Sequence, residues 1–312
     1  MNIALDMMGG DFAPDELVKG VRDYISEKTP AELTLIGDEQ QIKSLLSQHQ
    51  VPANSYKIVP STEVIGMNEH PLKALKGKPN SSIAIGFELL ASGKTDAFIS
   101  AGNTGAMLIG SLYTIKPIDG ILRPTIGTII PMENGSTGLL LDVGANADCK
   151  AEHLNQFATL GSLYAKYILG IEKPRVGLIN IGEEEGKGNV LAQTTYPLLK
   201  ENNQIQFIGN VEGRDVFLDH ADVLVCEGFT GNVILKLAES LHGIMDRQKI
   251  QNKYFDRFNF EDYGGTPVLG VNKPVIIGHG ISRAKAYKNM LLLAQKMIET
   301  KLLEKMASAF QA

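Results

Sequence analysis

The 312-residue sequence has the composition of a globular protein, since 44% of its residues are hydrophobic, 21% are charged and its formal net charge is −5. This apolar content and low net charge exclude an intrinsically disordered chain. The acidic balance argues against a general nucleic-acid binder, which would carry an excess of basic residues. An acidic partner would therefore have to bind to a local basic patch.

The sequence also predicts a protein of the reducing cytoplasm. The N-terminus runs into a predicted strand without a basic region and a long apolar run, so we expect no signal peptide. No stretch of about 18 or more apolar residues occurs, so we expect no transmembrane helix. The cysteines, Cys149 and Cys226, form neither a disulfide framework nor a metal-binding pattern.

Short apolar runs, typical of strands, alternate with longer amphipathic segments along nearly the whole chain. The strands are predicted at residues 2–5, 33–36, 56–59, 97–100, 125–130, 138–141, 176–180, 206–208, 223–226 and 275–277. Helical spacing of apolar residues predicts helices at 15–28, 152–168, 229–245 and 282–309. This alternation indicates a Rossmann-like three-layer α/β/α sandwich with a mainly parallel sheet. We expect a single α/β catalytic domain over residues 1–312.

One segment departs from this alternation. Residues 243–263 are rich in lysine, arginine and aromatic residues and end at Gly264–Gly265. We predict a helical, aromatic and basic excursion from the main body of the domain.

Polar and glycine-rich loops follow most of the predicted strands. They cover residues 6–11, 101–105, 142–146, 181–189, 209–214, 227–232 and 278–280. In a parallel sheet such loops emerge at the carboxyl ends of the strands, where ligands bind. Glycine lets backbone N–H groups approach an anion, and a following helix N-terminus adds partial positive charge. A single loop of this kind is usually only a tight connection, but the set together predicts a site for phosphate or another small anion.

The usual nucleotide and nucleophile motifs are absent from the sequence. There is no P-loop, no dinucleotide fingerprint after the first strand and no nucleophile elbow. Cys149 has no identifiable histidine partner and is interpreted as structural. The carboxylates Asp6, Asp11, Asp142 and Glu183 are interpreted as caps or loop anchors in preference to metal ligands. We therefore expect no metal and no cofactor.

At these loops the sequence resembles the bacterial phosphate acyltransferase (PlsX) family. The matching blocks are ALDMMGGD (4–11), SAGNTGA (100–106), LDVGANADCK (141–150), NIGEEEGKGN (180–189), GNVEGRD (209–215), CEGFTGNV (226–233) and YGGTPVLGV (263–271). The blocks occur in order from the first strand towards the last helix. The sequence departs from the family pattern at two places. After the Gly278-His279 element the family commonly has two serines, of which only Ser282 is present here. The segment between Val233 and Tyr263 is also shorter than in the family.

The resemblance implies a phosphotransacetylase or isopropylmalate-dehydrogenase type of fold. It also implies transfer of a long-chain fatty acyl group from acyl carrier protein to inorganic phosphate. The product would be an acyl phosphate for phosphatidic acid and membrane phospholipid synthesis, passed to a membrane glycerol-3-phosphate acyltransferase. We expect a homodimer in the cytoplasm, associated peripherally with the inner face of the cell membrane, and no nucleic-acid partner.

Candidate site residues follow from the loops and the resemblance together. The predicted catalytic residues are Lys187, His279, Asn180 and Asn232. Lys187 would act as a phosphate or oxyanion cation, and His279 would donate to the oxyanion or the leaving sulfur. The predicted substrate- and phosphate-binding residues are Asp6, Gly9, Gly10, Asp11, Asn103, Thr104, Gly105, Asp142, Asn146, Glu183, Asn210, Glu212, Gly213 and Arg214. The predicted contacts with the carrier or the membrane are Arg247, Lys249, Lys253 and Arg257.

Other functions stay open at this point. The nearest is a phosphotransacetylase-like transfer between acyl-coenzyme A and phosphate. A phosphate- or nucleotide-binding module without turnover is a second, and an NAD-dependent decarboxylating dehydrogenase is a third, weakened by the missing dinucleotide motif.

Overall fold

The computed structural model describes residues 1–27 and 31–311. Within them the chain forms two compact units. The first comprises Met1–Pro117 and Phe260–Leu303, and the second comprises Ile118–Asn259 and Glu304–Ala312, described here up to residue 311. The sequence predicts one catalytic domain over the whole chain, and that expectation stays a prediction.

Strands of the first unit are almost all parallel. They are β1 (Asn2–Asp6), β2 (Glu32–Gly37), β3 (Tyr56–Pro60), β4 (Ala97–Ser100), β10 (Thr266–Leu269) and β11 (Val275–Ile277), in the order β3-β2-β1-β4-β11-β10. Among the strand pairs described in this unit, β10–β11 is antiparallel and the others are parallel. Strand β1 is a nearly continuous buried run, as expected for a central strand of a parallel sheet.

Helices of the first unit follow the strands. They are α1 (Asp15–Ser26), α2 (Glu39–Gln48), α3 (Pro71–Gly77), α4 (Ser82–Ala91), α5 (Thr104–Gly110), which continues into a π-helical turn at Ser111–Ile115, and α10 (Ala284–Glu299). Helix α1 packs on α10, where Tyr24 and Tyr287 are fully buried. The predicted helix 15–28 is present, but its last residue, Lys28, lies outside the described residues.

The second unit repeats the same plan with five strands. They are β5 (Thr125–Pro131), β6 (Thr137–Leu141), β7 (Arg175–Asn180), β8 (Gln206–Glu212) and β9 (Val223–Val225), in the order β5-β6-β9-β7-β8. Its helices are α6 (Ala151–Tyr164), α7 (Val190–Glu201), α8 (Gly228–Arg247), α9 (Lys253–Asp256) and α11 (Leu302–Phe310), which belongs to this unit from Glu304 onward. The pair β5–β6 is antiparallel and the other pairs are parallel.

The predicted fold class is therefore confirmed, with two local differences. All ten predicted strands are present, and β10 was missed because it is short and Pro267 removes a backbone donor from the ladder. The predicted helix 282–309 is divided into α10 and α11 at Lys301, whose φ of 53° lies in the left-handed region. None of the described helices is both long and apolar enough to cross a membrane.

Candidate active site

Asp6 joins two loops of the first unit. It ends β1 and is buried, and its Oδ2 accepts a hydrogen bond from the Ser100 hydroxyl at 2.6 Å. The backbone N–H of Gly102 donates to that hydroxyl at 3.0 Å, so the loops after β1 and β4 share one polar contact. Burial raises the pKa of Asp6, and hydrogen bonds from Ser100, Ser82 and backbone amides oppose the rise. Asp6 therefore acts as an anchor of the loops.

Glycines allow these two loops to approach one another closely. A Cβ on Gly9 would lie 2.6 Å from Asp6 Oδ2 and 2.6 Å from the backbone nitrogen of Gly102, which no other residue would tolerate. Gly10 has a φ of 102°, a conformation that favours glycine. The next residue, Asp11, donates its N–H to the carbonyl oxygen of Gly280 at 2.7 Å. The structure thus brings the Gly9–Gly10 turn and the His279 segment together.

Asn103 is the N-cap of α5, followed by Thr104 and Gly105. Its Oδ1 accepts the N–H of Ala106 at 3.0 Å. Its Nδ2 lies within hydrogen-bond distance of three carbonyl oxygens, those of Gly66, Met67 and Glu69, at 3.0–3.1 Å. The side chain therefore fastens the loop 66–69 to the start of the helix.

His279 follows β11 in the first unit and is half-buried. Its ring lies 5.0 Å from the ring of Phe260, and its Nδ1 accepts a long contact from the N–H of Ile281 at 3.4 Å. The other three predicted catalytic residues, Asn180, Lys187 and Asn232, belong to the second unit.

Asp142 anchors the corresponding loop of the second unit. It is fully buried at the end of β6, and Oδ2 accepts the backbone N–H of Asn146 at 2.6 Å and its Nδ2 at 2.9 Å. Oδ1 accepts the backbone amides of Gly144, Ala145 and Ile126 at 3.1–3.3 Å. Burial raises the pKa of Asp142, and these hydrogen bonds oppose the rise. The carboxylate fixes the conformation of the whole loop 142–146.

The start of α8 packs directly onto this loop. A Cβ on Gly231 would overlap the carbonyl oxygen of Asp142, so only glycine fits there. Gly228 donates its N–H to the carbonyl oxygen of Asn146 at 2.8 Å, and Asn232 Nδ2 donates to that of Val143 at 3.0 Å. Glu227, which the sequence analysis did not select, caps the helix by accepting the N–H of Thr230 at 3.0 Å.

Lys187 lies in the exposed loop after β7. Asn180 shapes that loop, because its Nδ2 donates to the carbonyl oxygen of Lys187 at 3.1 Å and its Oδ1 accepts the N–H of Ile181 at 2.8 Å. Lys187 Nζ is 3.8 Å from Glu184 Oε1, and the Lys187 side chain is 50% exposed. Its cation is therefore only loosely paired and accessible from solvent.

The loop after β8 meets the loop of Lys187. Asn210 Nδ2 donates to the carbonyl oxygen of Glu184 at 2.9 Å, with that of Glu183 at 3.5 Å. Asn210 Oδ1 is buried and has no hydrogen-bond partner among the described residues. Beyond Gly213, Arg214 pairs with Glu212 at 3.0 Å, so its charge is already balanced locally.

The asparagines share one structural role. Each of those predicted to orient phosphate donates its side-chain amide to a backbone carbonyl oxygen, namely Asn103, Asn146, Asn180, Asn210 and Asn232. Their amides shape the loops, and direct contact with phosphate stays a prediction.

The loop sequences and the whole chain match a known family. The match to the fatty acid synthesis protein family extends over residues 1–305. The chain belongs to this family. Among its relatives, the phosphate acyltransferase of Dictyoglomus turgidum is 44% identical over 319 aligned residues, covering 96% of this chain and 94% of the relative. The phosphate acyltransferase of Desulfitobacterium hafniense is 45% identical over 324, covering 97% and 96%. The predicted family and the predicted class of enzyme, an acyltransferase, are confirmed.

Solved structures support the fold of this family member. A phosphotransacetylase from Streptococcus pyogenes superposes with a TM-score of 0.68 at 19% identity, covering 96% of this chain and 94% of that one. A branched-chain phosphotransacylase from Enterococcus faecalis gives 0.63 at 15% identity, covering 96% and 99%. At these identities the similarity shows the α/β fold alone.

Neither cysteine of this family member is suited to be a nucleophile. Burial, with the nearby charge of Asp142, raises the pKa of Cys149 to about 12. Burial also raises the pKa of Cys226, which is 2% exposed at the end of β9. Because the thiolate is the reactive form, both groups are held as inert thiols near neutral pH. Within residues 1–27 and 31–311, no cluster of three or more His, Cys, Asp or Glu residues could hold a metal ion.

The part of the segment 243–263 that belongs to the second unit, up to Asn259, packs its aromatic residues inside that unit. The rings of Tyr254, Phe255 and Phe258 form a half-buried cluster, and Phe217 stacks edge-on against Phe258 at 5.1 Å. Arg257 is also half-buried and donates to the carbonyl oxygens of Met132 and Ser136. The other predicted basic contacts, Arg247, Lys249 and Lys253, are exposed.

Proposed function

We propose that the protein transfers a fatty acyl group from acyl carrier protein to inorganic phosphate. The product is an acyl phosphate for phosphatidic acid and membrane phospholipid synthesis. The observation that carries this proposal is the similarity to phosphate acyltransferases over nearly the full length of both chains. The glycine-rich loops at the strand ends of each unit support it, because close backbone approach suits phosphate oxygens.

The reaction needs little help from an acid or a base. A phosphate oxygen attacks the thioester carbonyl carbon, the C–O bond forms, and the C–S bond breaks to release the thiolate of the carrier. Inorganic phosphate is already anionic near neutral pH, and a thiol with a pKa of about 8.5 is a good leaving group. The inert state of Cys149 and Cys226 supports direct attack without an acyl-enzyme. The work of the protein is then to position two anionic reactants and stabilise the tetrahedral oxyanion.

Lys187 is the proposed cation for the phosphate or the oxyanion. Its exposed ammonium has only a 3.8 Å contact with Glu184, so a substrate anion can compete for it. The loop is held in shape by Asn180, which binds the Lys187 backbone and leaves the side chain accessible. His279, at the Gly9–Gly10 turn of the first unit, is the proposed donor to the oxyanion or the leaving sulfur.

The decisive test is turnover with defined substrates. Purified protein is incubated with palmitoyl-carrier protein and phosphate, and acyl phosphate is measured. Carrier-dependent product supports the proposal, whereas a preference for palmitoyl-coenzyme A would indicate a phosphotransacetylase-like enzyme. Absence of turnover with either donor would reject catalysis in favour of a binding module. We expect activity to survive exhaustive treatment with a chelator. Activity that is lost on chelation and restored by a divalent ion would instead assign Asp6, Asp142 or Glu183 as metal ligands.

The role of Lys187 is tested in the same assay. Loss of a charge-assisted contact costs about 1.5–3 kcal/mol, and more if the contact forms only in the transition state. We therefore expect Lys187→Ala to lower kcat/KM at least about tenfold, and Lys187→Arg to recover part of it. Lys200→Ala is the matched control, because Lys200 is exposed nearby and pairs with Glu185 at 3.0 Å. Equal activity of the two alanine variants would remove Lys187 from the site.

We also propose that the protein is a homodimer, with α8 as its contact. One face of this helix exposes a row of apolar side chains at helical spacing: Phe229, Val233, Leu237, Leu241 and Ile244, which are 67%, 53%, 61%, 38% and 44% exposed. The aromatic cluster of Tyr254, Phe255 and Phe258 packs within its own unit and is half-buried. The row of α8 therefore offers more exposed apolar surface for a partner than this cluster does. Sedimentation of the wild type and of Val233→Asp/Leu237→Asp tests this, and a monomeric wild type would reject it.

Peripheral contact with the inner face of the membrane is the last part of the proposal. The exposed basic residues Arg247, Lys249 and Lys253 follow the apolar row of α8 and suit an anionic lipid surface or the acidic carrier. We leave Arg257 out, because backbone carbonyls already engage its guanidinium. Such a position would favour delivery of acyl phosphate to a membrane glycerol-3-phosphate acyltransferase. Charge reversal of the three residues should reduce pelleting with anionic vesicles, and equal pelleting would reject the contact.

A further inference from the structure

Arg123 is a cation beside the loop 142–146 that the sequence analysis did not select. It lies two residues before β5, and its Nη1 donates to the carbonyl oxygen of Asp148 at 3.0 Å. The next residue, Pro124, accepts a hydrogen bond from Asn146 Nδ2 at 2.8 Å. Backbone and side chain of the Arg123–Pro124 pair are thereby fastened to both sides of the turn after Asp142.

The charge of Arg123 is not balanced by a carboxylate. Within the part of the chain that the structure describes, Asp148 is its hydrogen-bond partner, through a backbone oxygen, and no acidic side chain pairs with it. This distinguishes it from two other cations on loops of the same unit, since Arg214 pairs with Glu212 and Lys187 is near Glu184. An exposed guanidinium retains a planar set of donors that matches phosphate oxygens in pairs.

Two cations lie close to this loop, Arg123 and the exposed Lys150, and a hydrogen bond to the Asp148 carbonyl oxygen fixes the guanidinium of Arg123. Burial lowers the pKa of His153, and the charge of Arg123 lowers it further, so His153 favours its neutral form. The side-chain amide of Asn146 already donates to the Pro124 carbonyl oxygen and to the Asp142 carboxylate. The side-chain amide of Asn232 already donates to the Val143 carbonyl oxygen. The backbone amides of Gly144, Ala145 and Asn146 all donate to Asp142. An anion at this loop would therefore depend on cationic side chains, and the fixed guanidinium of Arg123 offers the paired donors that match phosphate oxygens.

We propose that Arg123 binds a phosphate group of a substrate at the loop 142–146. This rests on the proposed function, in which both reactants carry such a group. One reactant is orthophosphate itself. The other is the acyl donor, in which a phosphodiester links the thiol-bearing prosthetic group to the carrier protein. The chemistry of recognition is the same for both, and kinetics distinguishes them.

The test compares Arg123→Ala and Arg123→Lys with the wild type, varying phosphate and acyl donor separately. Arg22→Ala is the matched control, because Arg22 is exposed on α1 and pairs with its neighbour Asp23. We expect KM for one substrate to rise about 10- to 100-fold in Arg123→Ala, with partial recovery in Arg123→Lys. If Arg123→Ala does not fold, Arg123→Gln keeps a donor for the Asp148 carbonyl while removing the charge.

A rise in KM for phosphate assigns Arg123 to orthophosphate, and a rise in KM for the acyl donor assigns it to the phosphodiester. Unchanged KM values for both substrates in a folded variant would overturn the inference, even if kcat fell. Failure of the wild type to form acyl phosphate would instead reject the proposed function. Titration of free enzyme with inorganic phosphate then checks the first assignment, because Arg123→Ala should lose the binding that Arg22→Ala retains.

Discussion

Asp6 is the last residue of β1 and Asp142 directly follows β6, each in a Leu-Asp pair, yet hydroxyl donors bind Asp6 and only N–H donors are seen at Asp142 among the described residues. Asp6 accepts hydrogen bonds from the hydroxyls of Ser100 and Ser82 and from the backbone amides of Met8 and Gly9. Asp142 accepts the backbone amides of Ile126, Gly144, Ala145 and Asn146 and the Asn146 side chain. A hydroxyl can turn to donate or to accept, whereas an N–H can only donate. The Asp142 loop should therefore tolerate change at its carboxylate much less than the Asp6 loop.

The largest expected effect is that of Asp142→Asn. An amide nitrogen would replace one carboxylate oxygen and face N–H donors, leaving buried donors without acceptors. We expect the free energy of unfolding to fall by about 3 kcal/mol and activity to be lost, since each unsatisfied buried group costs about 1–3 kcal/mol. Urea unfolding measures the loss. Asp148→Asn, at an exposed position of the same segment, should change stability little, and equal losses in the two variants would contradict the argument.

Gly231→Ala should have the next largest effect on stability. The added methyl group would overlap the Asp142 carbonyl and push α8 away from the loop, which we expect to cost about 1–3 kcal/mol. Gly243→Ala is the control on the same helix, because its Cβ would meet only the flexible end of Arg247 at 3.2 Å. That control should be neutral or stabilising by about 0.5–1 kcal/mol. A variant Gly231→Ala as stable as the wild type would show that the helix and loop separate without cost.

Asp6→Asn should have a smaller effect that depends on pH. The new amide can donate to the Ser100 hydroxyl, so we expect a loss below about 1 kcal/mol. Burial raises the pKa of Asp6, so the folded protein keeps this proton to a higher pH than the unfolded chain does. The wild type therefore loses stability as pH rises from the unfolded pKa of about 3.9 through the raised folded pKa, and Asp6→Asn does not. Urea unfolding at pH 4 and pH 7 measures the free energy of unfolding of both proteins. The stability of Asp6→Asn relative to the wild type should be higher at pH 7 than at pH 4, and the opposite trend would reject a raised pKa.

Cys149→Ala should have the smallest effect. The pKa of about 12 leaves almost no thiolate near neutral pH, and the Sγ atom makes a long contact of 3.7 Å with the Asn146 carbonyl oxygen. We expect kcat and KM within about twofold of the wild type, and slow alkylation of Cys149 in the native protein. Loss of turnover in a folded Cys149→Ala variant would restore the covalent alternative.

The strands and the loops that follow them were determined by local sequence. Buried parallel strands are short apolar runs bounded by glycine and polar residues, and each of the predicted runs forms a strand. The strand missed, β10, contains a proline, and its pairing with β11 depends on residues farther along the chain. Local patterns carry no information about such a partner.

The roles of polar side chains were decided only by tertiary structure. The sequence places asparagines and aspartates at loop tips but does not show what each amide or carboxylate faces. Asn103 reaches a loop more than thirty residues earlier, and Asn232 reaches Val143 from a different strand connection. Arg123 gives no signal within a glycine-rich loop, because its position depends on the carbonyl of Asp148, which only the folded turn presents. Local composition specifies where loops form, whereas the balance of donors and acceptors within them depends on contacts that only folding creates.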